Sequence, residues 1–153
     1  MTAKPPVRVK AWDHVAIAVR SVAEALPWFE GVLGARKLSG LVEEPDGYRW
    51  ITLGIGESQL ELIEPVDETS FVTRFIAERG ESFHHITLLV DDADEAAEAL
   101  KANGIEPWGG VRGVPGWRET FVHPRDSFGV LFQFAQSDPE TYNRWLAEGR
   151  PAS

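Results

Sequence analysis

Cysteine is absent from this 153-residue chain, so disulfides, thiolate metal sites and cysteine nucleophiles are excluded. No apolar run is long enough to span a bilayer, and the first residues lack the hydrophobic stretch of a secretory signal. Basic residues are outnumbered, 15 against 24 acidic ones, and the formal net charge of −9 disfavours binding to a phosphate backbone. We therefore expect a cytoplasmic protein that binds neither a membrane nor nucleic acid.

Two parts of the chain share one pattern. His14 and His85 each begin a strand-like segment, and Glu61 and Gln133 are each a polar residue inside an apolar segment. His85 lies 71 positions after His14, and Gln133 lies 72 positions after Glu61. One offset that relates both pairs is typical of a duplicated module.

Each half of the chain predicts a β-α-β-β-β module. Residues 12–19 and 85–90 alternate as strands do, and Ser21 and Asp92 then match helix N-caps, each with a glutamate three residues later. Pro27 is expected to kink or shorten the first helix. Three strand-like segments follow each helix, at 36–43, 48–55 and 58–64 in the first half and at 105–108, 118–123 and 129–135 in the second.

The predicted fold is therefore α+β, with two paired β-α-β-β-β modules that form a half-open β-barrel around a cleft. We place the first module at 10–66, a linker helix at 67–81, the second module at 82–136, and a C-terminal helix and tail at 137–153.

The C-terminal helix carries an apolar stripe of Tyr142, Trp145 and Leu146. Half-open barrels with exposed edges often close by pairing with a second copy, and this stripe could pack on another subunit. We therefore expect a homodimer.

The phase of the strands decides whether the four polar residues can meet. The side chain of Glu61 points to the face of its strand opposite to that of Leu60 and Leu62. In the same way, Gln133 points to the face opposite to that of Phe132 and Phe134. The apolar faces have helices available to cover them, which leaves the polar faces to line the interior. If the modules pack face to face, two imidazoles and two oxygen ligands converge, and these are the ligands of a divalent metal site.

Several blocks in order resemble the vicinal oxygen chelate superfamily, also described as the glyoxalase/bleomycin resistance/dioxygenase superfamily. The resemblance covers about residues 11–136 and is closest to the methylmalonyl-CoA epimerase family. The blocks include Asp13-His14-Val-Ala-Ile-Ala-Val, Ile55-Gly-Glu-Ser-Gln-Leu-Glu-Leu-Ile-Glu-Pro65, His84-His85-Ile and Phe121-Val-His-Pro-Arg125.

This resemblance implies one divalent metal ion (Co, Ni, Mn, Zn or Fe) held by His14, Glu61, His85 and Gln133, with His84 outside the ligand set. It implies a metal-dependent isomerase or lyase, epimerase-like or glyoxalase-like, that acts through a metal-stabilised enolate. The substrate would be a small molecule with vicinal oxygens or a thioester.

Position 133 departs from the family pattern. The resemblance implies a glutamate there that binds the metal and also acts as an acid/base, whereas this chain has Gln133. An amide oxygen can still bind a metal ion, but an amide cannot accept a proton at neutral pH. We therefore assign the catalytic proton transfer to Glu61.

Two other functions remain open. His14, His85 and Glu61 are the ligand types of non-haem iron dioxygenases, which occur in the same superfamily. A non-catalytic resistance-type protein would instead hold a small molecule between aromatic side chains such as Trp50 and Trp108.

The residues that we expect to contact substrate flank the cleft in this interpretation. They are Trp50, Trp117, Phe121, His123 and Arg125. The glycine-rich segment 108–117 lacks the context of a nucleotide-binding loop, and we expect it to be a hairpin connection or a lid.

Overall fold

The computed structural model of the chain describes residues 3–148, and within that range it confirms the α+β class. The helices are α1 (Val22–Leu33), α2 (Phe71–Arg79), α3 (Ala93–Ala102) and α4 (Pro139–Glu148), with a 3₁₀ turn at Pro124–Asp126. The strands are β1 (Val9–Ala18), β2 (Arg36–Lys37), β3 (Val42–Glu44), β4 (Tyr48–Ile55), β5 (Ser58–Pro65), β6 (Ser82–Val90), β7 (Trp108–Val114), β8 (Trp117–Val122) and β9 (Leu131–Ser137).

The chain divides into two compact units. The first unit comprises residues 13–85, and the second comprises the residues up to Trp12 together with those from Ile86. Both follow the predicted order of a strand, a helix and further strands. In the first unit the segment predicted at 36–43 is broken into the short strands β2 and β3.

The first unit contains strands in the order β2-β4-β5-β1, with β3 paired to β4. β1 and β5 run parallel with Ala16 opposite Glu61, and β4 runs antiparallel to β5 with Thr52 opposite the same residue. Helix α1 covers one face of these strands, and their apolar side chains form a core with it. The buried members of that core include Val22, Phe29, Ile51, Leu53, Leu60 and Leu62.

Helix α1 has the N-cap that the sequence predicts, and a glycine caps its other end. The Ser21 hydroxyl accepts from Glu24 N at 3.2 Å, and the helix ends at Gly34 in the left-handed conformation, φ 66°. The buried Glu64 carboxylate also accepts from Val22 N at 2.6 Å, which suits the positive end of a helix. Pro27 does not shorten this helix, which continues to Leu33. The expectation of a shortened helix was wrong, because the caps and the packed face outweigh the lost hydrogen bond, and the expected kink stays a prediction.

Helix α2 closes one end of the opposite face in the first unit. Val72 and Ile76 pack there against Ala18 and Ile63. These last two residues lie on β1 and β5, on the same faces as His14 and Glu61. The predicted linker helix therefore bounds the polar face of this unit.

The second unit contains strands in the order β6-β9-β8-β7. Helix α3 begins at Asp92, whose carboxylate accepts from the backbone N of Asp94 and Glu95. It covers the apolar face of these strands in a core that includes Leu88, Val90, Leu100, Val122 and Phe134.

The glycine-rich segment is mostly strand. The strand expected at 105–108 begins only at Trp108, and the connection or lid expected at 108–117 is wrong for residues 108–114, which form β7. This strand pairs antiparallel with β8 through a register shift between Trp108 and Arg112. Gly109 and Gly110 have positive φ at that irregularity, and Gly113 leaves no room for a Cβ beside the Trp117 carbonyl. Glycine is therefore required here by the strand pairing.

The stripe on α4 packs partly within its own unit. Tyr142 contacts the Trp117 ring at a centroid distance of 5.8 Å, and Tyr142, Trp145 and Leu146 are each half-buried. The homodimer stays a prediction, and residues 149–153 of the predicted C-terminal helix and tail lie outside the described residues. Among residues 3–148, every helix is too short or too polar to cross a membrane.

The core of the first unit gives a stability prediction. Leu62→Ala removes a side chain that is 0% exposed, and we expect it to lower the free energy of unfolding by about 2–5 kcal/mol. Leu33→Ala, at a position that is 45% exposed, is the matched control and should cost far less. Urea unfolding of both variants checks this, and equal losses would contradict the core assignment.

Candidate metal centre

Strand alternation places His14 and Glu61 on one face of the first unit. His14 is two residues before Ala16, which pairs with Glu61, so the two side chains point to the same side of neighbouring strands. Leu60 and Leu62 point to the other side, into the core under α1. The structure therefore confirms which residues of these two strands face the core and which face the polar side.

Three of the four predicted ligands lie together. Glu61 Oε2 is 3.4 Å from His14 Nε2, and Glu61 Oε1 is 3.9 Å from His85 Nε2. One ligand atom from each of the three residues lies within 4.8 Å of the other two. Both histidines are buried, and the Glu61 side chain is 14% exposed.

These distances fit a divalent ion. Metal–nitrogen and metal–oxygen bonds of about 2.0–2.2 Å in a tetrahedral site place the ligand atoms roughly 3.3 Å apart. The separation of 3.4 Å between His14 Nε2 and Glu61 Oε2 matches this value, whereas His85 Nε2, which lies 3.9 Å from the other carboxylate oxygen, would have to move closer to share the ion. Two imidazoles and one carboxylate are also suitable donors for Zn, Fe, Co, Ni or Mn.

Asp13 holds the His14 ring. Its Oδ2 lies 2.7 Å from His14 Nδ1, which leaves Nε2 on the side of Glu61. Burial lowers the pKa of His14, but the carboxylates of Glu61 and Asp13 together raise it above its ordinary value. A carboxylate on the second nitrogen is typical of metal-binding histidines, because it fixes the ring orientation.

His84 holds the His85 ring. The two Nδ1 atoms are 2.8 Å apart, and the His84 ring packs edge-on against Phe75 at 4.7 Å between centroids. Burial, reinforced by the Arg79 charge, lowers the pKa of His84 to about 4. Burial, followed by the charges of His84 and His14, lowers the pKa of His85 well below its usual range. Both rings are therefore neutral at neutral pH, so one Nδ1 donates to the other, and a neutral imidazole is the form that binds metal.

The fourth predicted ligand, Gln133, lies on β9 in the second unit. It is buried, with 7% exposed surface. Thr87 Oγ1 donates to its Oε1 at 2.5 Å, and its Nε2 donates to the carboxylate of Glu119. Its role as a ligand stays a prediction.

Each aromatic side chain that we expect to contact substrate interacts with a charged side chain of its own unit. Trp50 Nε1 donates to Glu44 at 2.7 Å, within the first unit. Trp117 Nε1 donates to Glu119 at 2.7 Å, and the Arg112 guanidinium lies 5.2 Å from the Phe121 ring centroid. Their role in substrate binding stays a prediction.

His123 caps the 3₁₀ turn, and Arg125 lies within it. His123 Nδ1 accepts from Arg125 N at 3.1 Å, and its ring lies edge-on to Trp108 at 4.6 Å. The Arg125 side chain is 73% exposed. Contact with substrate stays a prediction for both residues.

A surface cavity of about 470 Å³ lies in the second unit, outside the predicted site. Trp117 is the one predicted site residue that lines this cavity. Charged side chains such as Lys10, Asp91 and Arg118 also line it. Two of these charges are neutralised, because Lys10 pairs with Asp91 at 2.9 Å.

Sequence reasoning missed three residues that hold predicted ligands. Asp13 and His84 each precede a ligand histidine, and only the side-chain geometry shows that they bond to it. Glu119 had a usable signal, because it lies two residues before Phe121 in the strand predicted at 118–123 and so shares the face of that residue.

A family comparison agrees with the fold and with this cluster. The sequence profile of the glyoxalase/bleomycin resistance protein/dioxygenase superfamily matches residues 13–121. The chain belongs to this superfamily. Its members use divalent metal ions, and the cluster of His14, Glu61 and His85 lies within the matched range.

Two relatives within the superfamily are similar over most of their length. The uncharacterized protein YqjC of Bacillus subtilis is 30% identical over 133 residues, which are 86% of this chain and 95% of that protein. The ethylmalonyl-CoA/methylmalonyl-CoA epimerase of Cereibacter sphaeroides is 32% identical over 132 residues, which are 81% of this chain and 96% of that protein.

Solved structures of superfamily members show the same fold. The methylmalonyl-CoA epimerase of Mycobacterium tuberculosis superposes with a TM-score of 0.79 and 28% identity, over 97% of each chain. A methylmalonyl-CoA epimerase in complex with methylmalonyl-CoA and NH4+ gives a TM-score of 0.78 with 31% identity, over 86% of this chain and 97% of that one.

The lowered pKa of His84 gives a pH prediction for the metal-free protein. In the unfolded chain this histidine titrates near 6.5, and in the folded chain near 4, so the unfolded state binds the extra proton between these values. Its contribution to stability is therefore complete above pH 6.5 and is lost as the pH falls towards 4. At about 1.4 kcal/mol per pKa unit, the loss is roughly 3 kcal/mol.

The variant His84→Gln should remove this contribution, because glutamine does not titrate. Urea unfolding of EDTA-treated wild type and variant at about pH 7 and about pH 4.5 measures the difference. We expect the variant to lose less stability in acid than the wild type does. The same loss in both proteins would contradict a buried, neutral His84.

Proposed function

We propose that this protein is a metal-dependent isomerase that moves the α-proton of a CoA thioester or a similar small carbonyl compound. The observation that carries the proposal is the buried cluster of His14, Glu61 and His85, whose ligand atoms lie within 4.8 Å of one another. The CoA esters named for the epimerase relatives support the substrate class. A glyoxalase-like lyase would begin with the same proton transfer.

The proposed metal set has four members. His14, Glu61 and His85 supply two nitrogens and a carboxylate oxygen, and we propose that Gln133 completes the set through its amide oxygen. The repeat offset that relates Gln133 to Glu61 supports this assignment. A divalent ion bound there would act as a Lewis acid that polarises the substrate carbonyl.

Glu61 is the proposed base. A ligand set with Gln133 at the fourth position leaves Glu61 as its single carboxylate, and an amide does not accept a proton at neutral pH. The carboxylate has two oxygens, one facing each imidazole. One oxygen can therefore remain with the ligand set while the other takes the proton from the substrate carbon.

Exchange of the substrate α-proton tests this proposal. Methylmalonyl-CoA incubated in deuterium oxide with the metal-loaded protein should gain deuterium at its α-carbon, as followed by mass spectrometry. Removal of the metal with EDTA should abolish the exchange, and re-addition should restore it. Glu61→Gln should slow the exchange by about 100- to 10,000-fold.

Glu57→Gln is the matched control. Glu57 is exposed in the turn before β5, so this change removes the same charge without touching the ligand cluster. Its exchange rate should equal that of the wild type. An unchanged rate in Glu61→Gln, or the same loss in both variants, would show that Glu61 is not the base.

A non-haem iron dioxygenase is the second candidate, because the observed cluster is itself a set of two histidines and one carboxylate. Oxygen uptake by the iron-loaded protein separates the two functions. The isomerase consumes no oxygen with its thioester substrate, whereas a dioxygenase consumes it in proportion to product. Protein purified without bound metal that holds an aromatic ligand unchanged would instead indicate a resistance-type binding protein.

A further inference from the structure

The amide of Gln133 has two chemically different neighbours within the second unit. Thr87, which is 0% exposed, donates its hydroxyl hydrogen to Gln133 Oε1 at 2.5 Å. On the other side, Gln133 Nε2 donates to Glu119 Oε2. Both ends of this buried side chain are therefore held by other side chains.

Glu119 decides which way round the amide lies. The two ends of an amide have almost the same shape, so packing alone does not distinguish them. A carboxylate only accepts hydrogen bonds, and a reversed Gln133 would turn its carbonyl oxygen against that carboxylate. The Thr87 hydroxyl can donate or accept, so it tolerates either orientation. The contact with Glu119 is the one that excludes the reversed amide.

Glu119 is itself fixed by other donors. Trp117 Nε1 donates to its Oε2 at 2.7 Å, and Arg112 Nε lies 3.3 Å from its Oε1. Its side chain is only 17% exposed. The register of β8 and β9 places Phe121 opposite Gln133, so Glu119 is the diagonal neighbour of Gln133 on the same face. A firmly held carboxylate thus stands next to the proposed fourth ligand.

We propose that Glu119 is a positioning residue for Gln133, which directs the amide nitrogen to β8 and keeps the carbonyl oxygen available to a metal ion. The proposal rests on the proposed function, in which Gln133 is the fourth ligand. The same contact explains why position 133 carries an amide. A glutamate at 133 would set two carboxylates against each other, and one of them would have to take up a proton.

Cobalt binding tests the proposal without any assay of activity. The visible absorption of bound Co²⁺ reports its ligand set, and titration gives its dissociation constant. Gln133→Ala establishes whether Gln133 is a ligand, because its loss should change the spectrum. Glu119→Met, which keeps the length of the side chain but replaces the carboxylate with a thioether, a much weaker acceptor, should change the spectrum and weaken Co²⁺ binding by about 10- to 100-fold.

A charge swap separates positioning from simple packing. Gln133→Glu alone should lower the melting temperature, because it faces Glu119. The double variant Glu119→Gln/Gln133→Glu restores one amide and one carboxylate in contact, and it should recover most of the melting temperature and of the Co²⁺ affinity. Arg118→Ala removes a cation from the opposite face of β8, where Arg118 pairs with Asp94 at 2.9 Å, and it should leave the cobalt spectrum unchanged.

The outcomes distinguish two failures. If Gln133→Ala changes the cobalt spectrum and Glu119→Met does not, the positioning role is wrong while the ligand assignment stands. If Gln133→Ala leaves the spectrum unchanged, Gln133 is not a ligand and the positioning proposal is overturned, while proton exchange with Glu61→Gln still tests the isomerase independently. Failure of the double variant to recover would also overturn the proposal.

Discussion

The alternation of side chains along the strands is the constraint on which both units depend. Each unit has a helix that covers one face of its strands and buries the apolar residues there. Because successive residues point to opposite faces, the polar residues between them are forced onto the other face. A shift of one residue in β5 would exchange Glu61 with Leu62 and would destroy both the core and the ligand cluster.

Polar groups buried on that face need hydrogen-bond or ion-pair partners, and each polar group in the cluster has such a partner beside it. A buried carboxylate or imidazole without a partner destabilises the fold. Glu61 faces two imidazoles, Asp13 bonds to His14, and His84 bonds to His85. The same contacts set the ring orientations, so the interactions that make burial tolerable also arrange the nitrogens for ligation.

The sequence was sufficient for the features that depend on period and offset. Side-chain alternation correctly predicted which face of its strand each of His14, Glu61 and Gln133 points to. The helix caps at Ser21 and Asp92 were found where the pattern predicted them. It was insufficient where long-range packing decides, as at Pro27, which stays inside α1, and in β7, where glycine serves strand pairing. The bond between Glu119 and Gln133 was also beyond it, because contacts across strands depend on register, which the sequence pattern did not specify.

The two imidazoles differ in the proton that a metal ion would have to displace. Burial, with its neighbouring histidines, keeps the His85 ring neutral, so a metal ion would not have to compete with an imidazolium proton there. His14 lies between Glu61 and Asp13, and their carboxylates favour its protonated form. When His14 is protonated in the absence of metal, its proton partly neutralises the two carboxylates, and a divalent ion would have to displace it. The charge that makes the cluster attractive to a metal ion is thus the charge that holds the competing proton, and this competition becomes stronger as the pH falls.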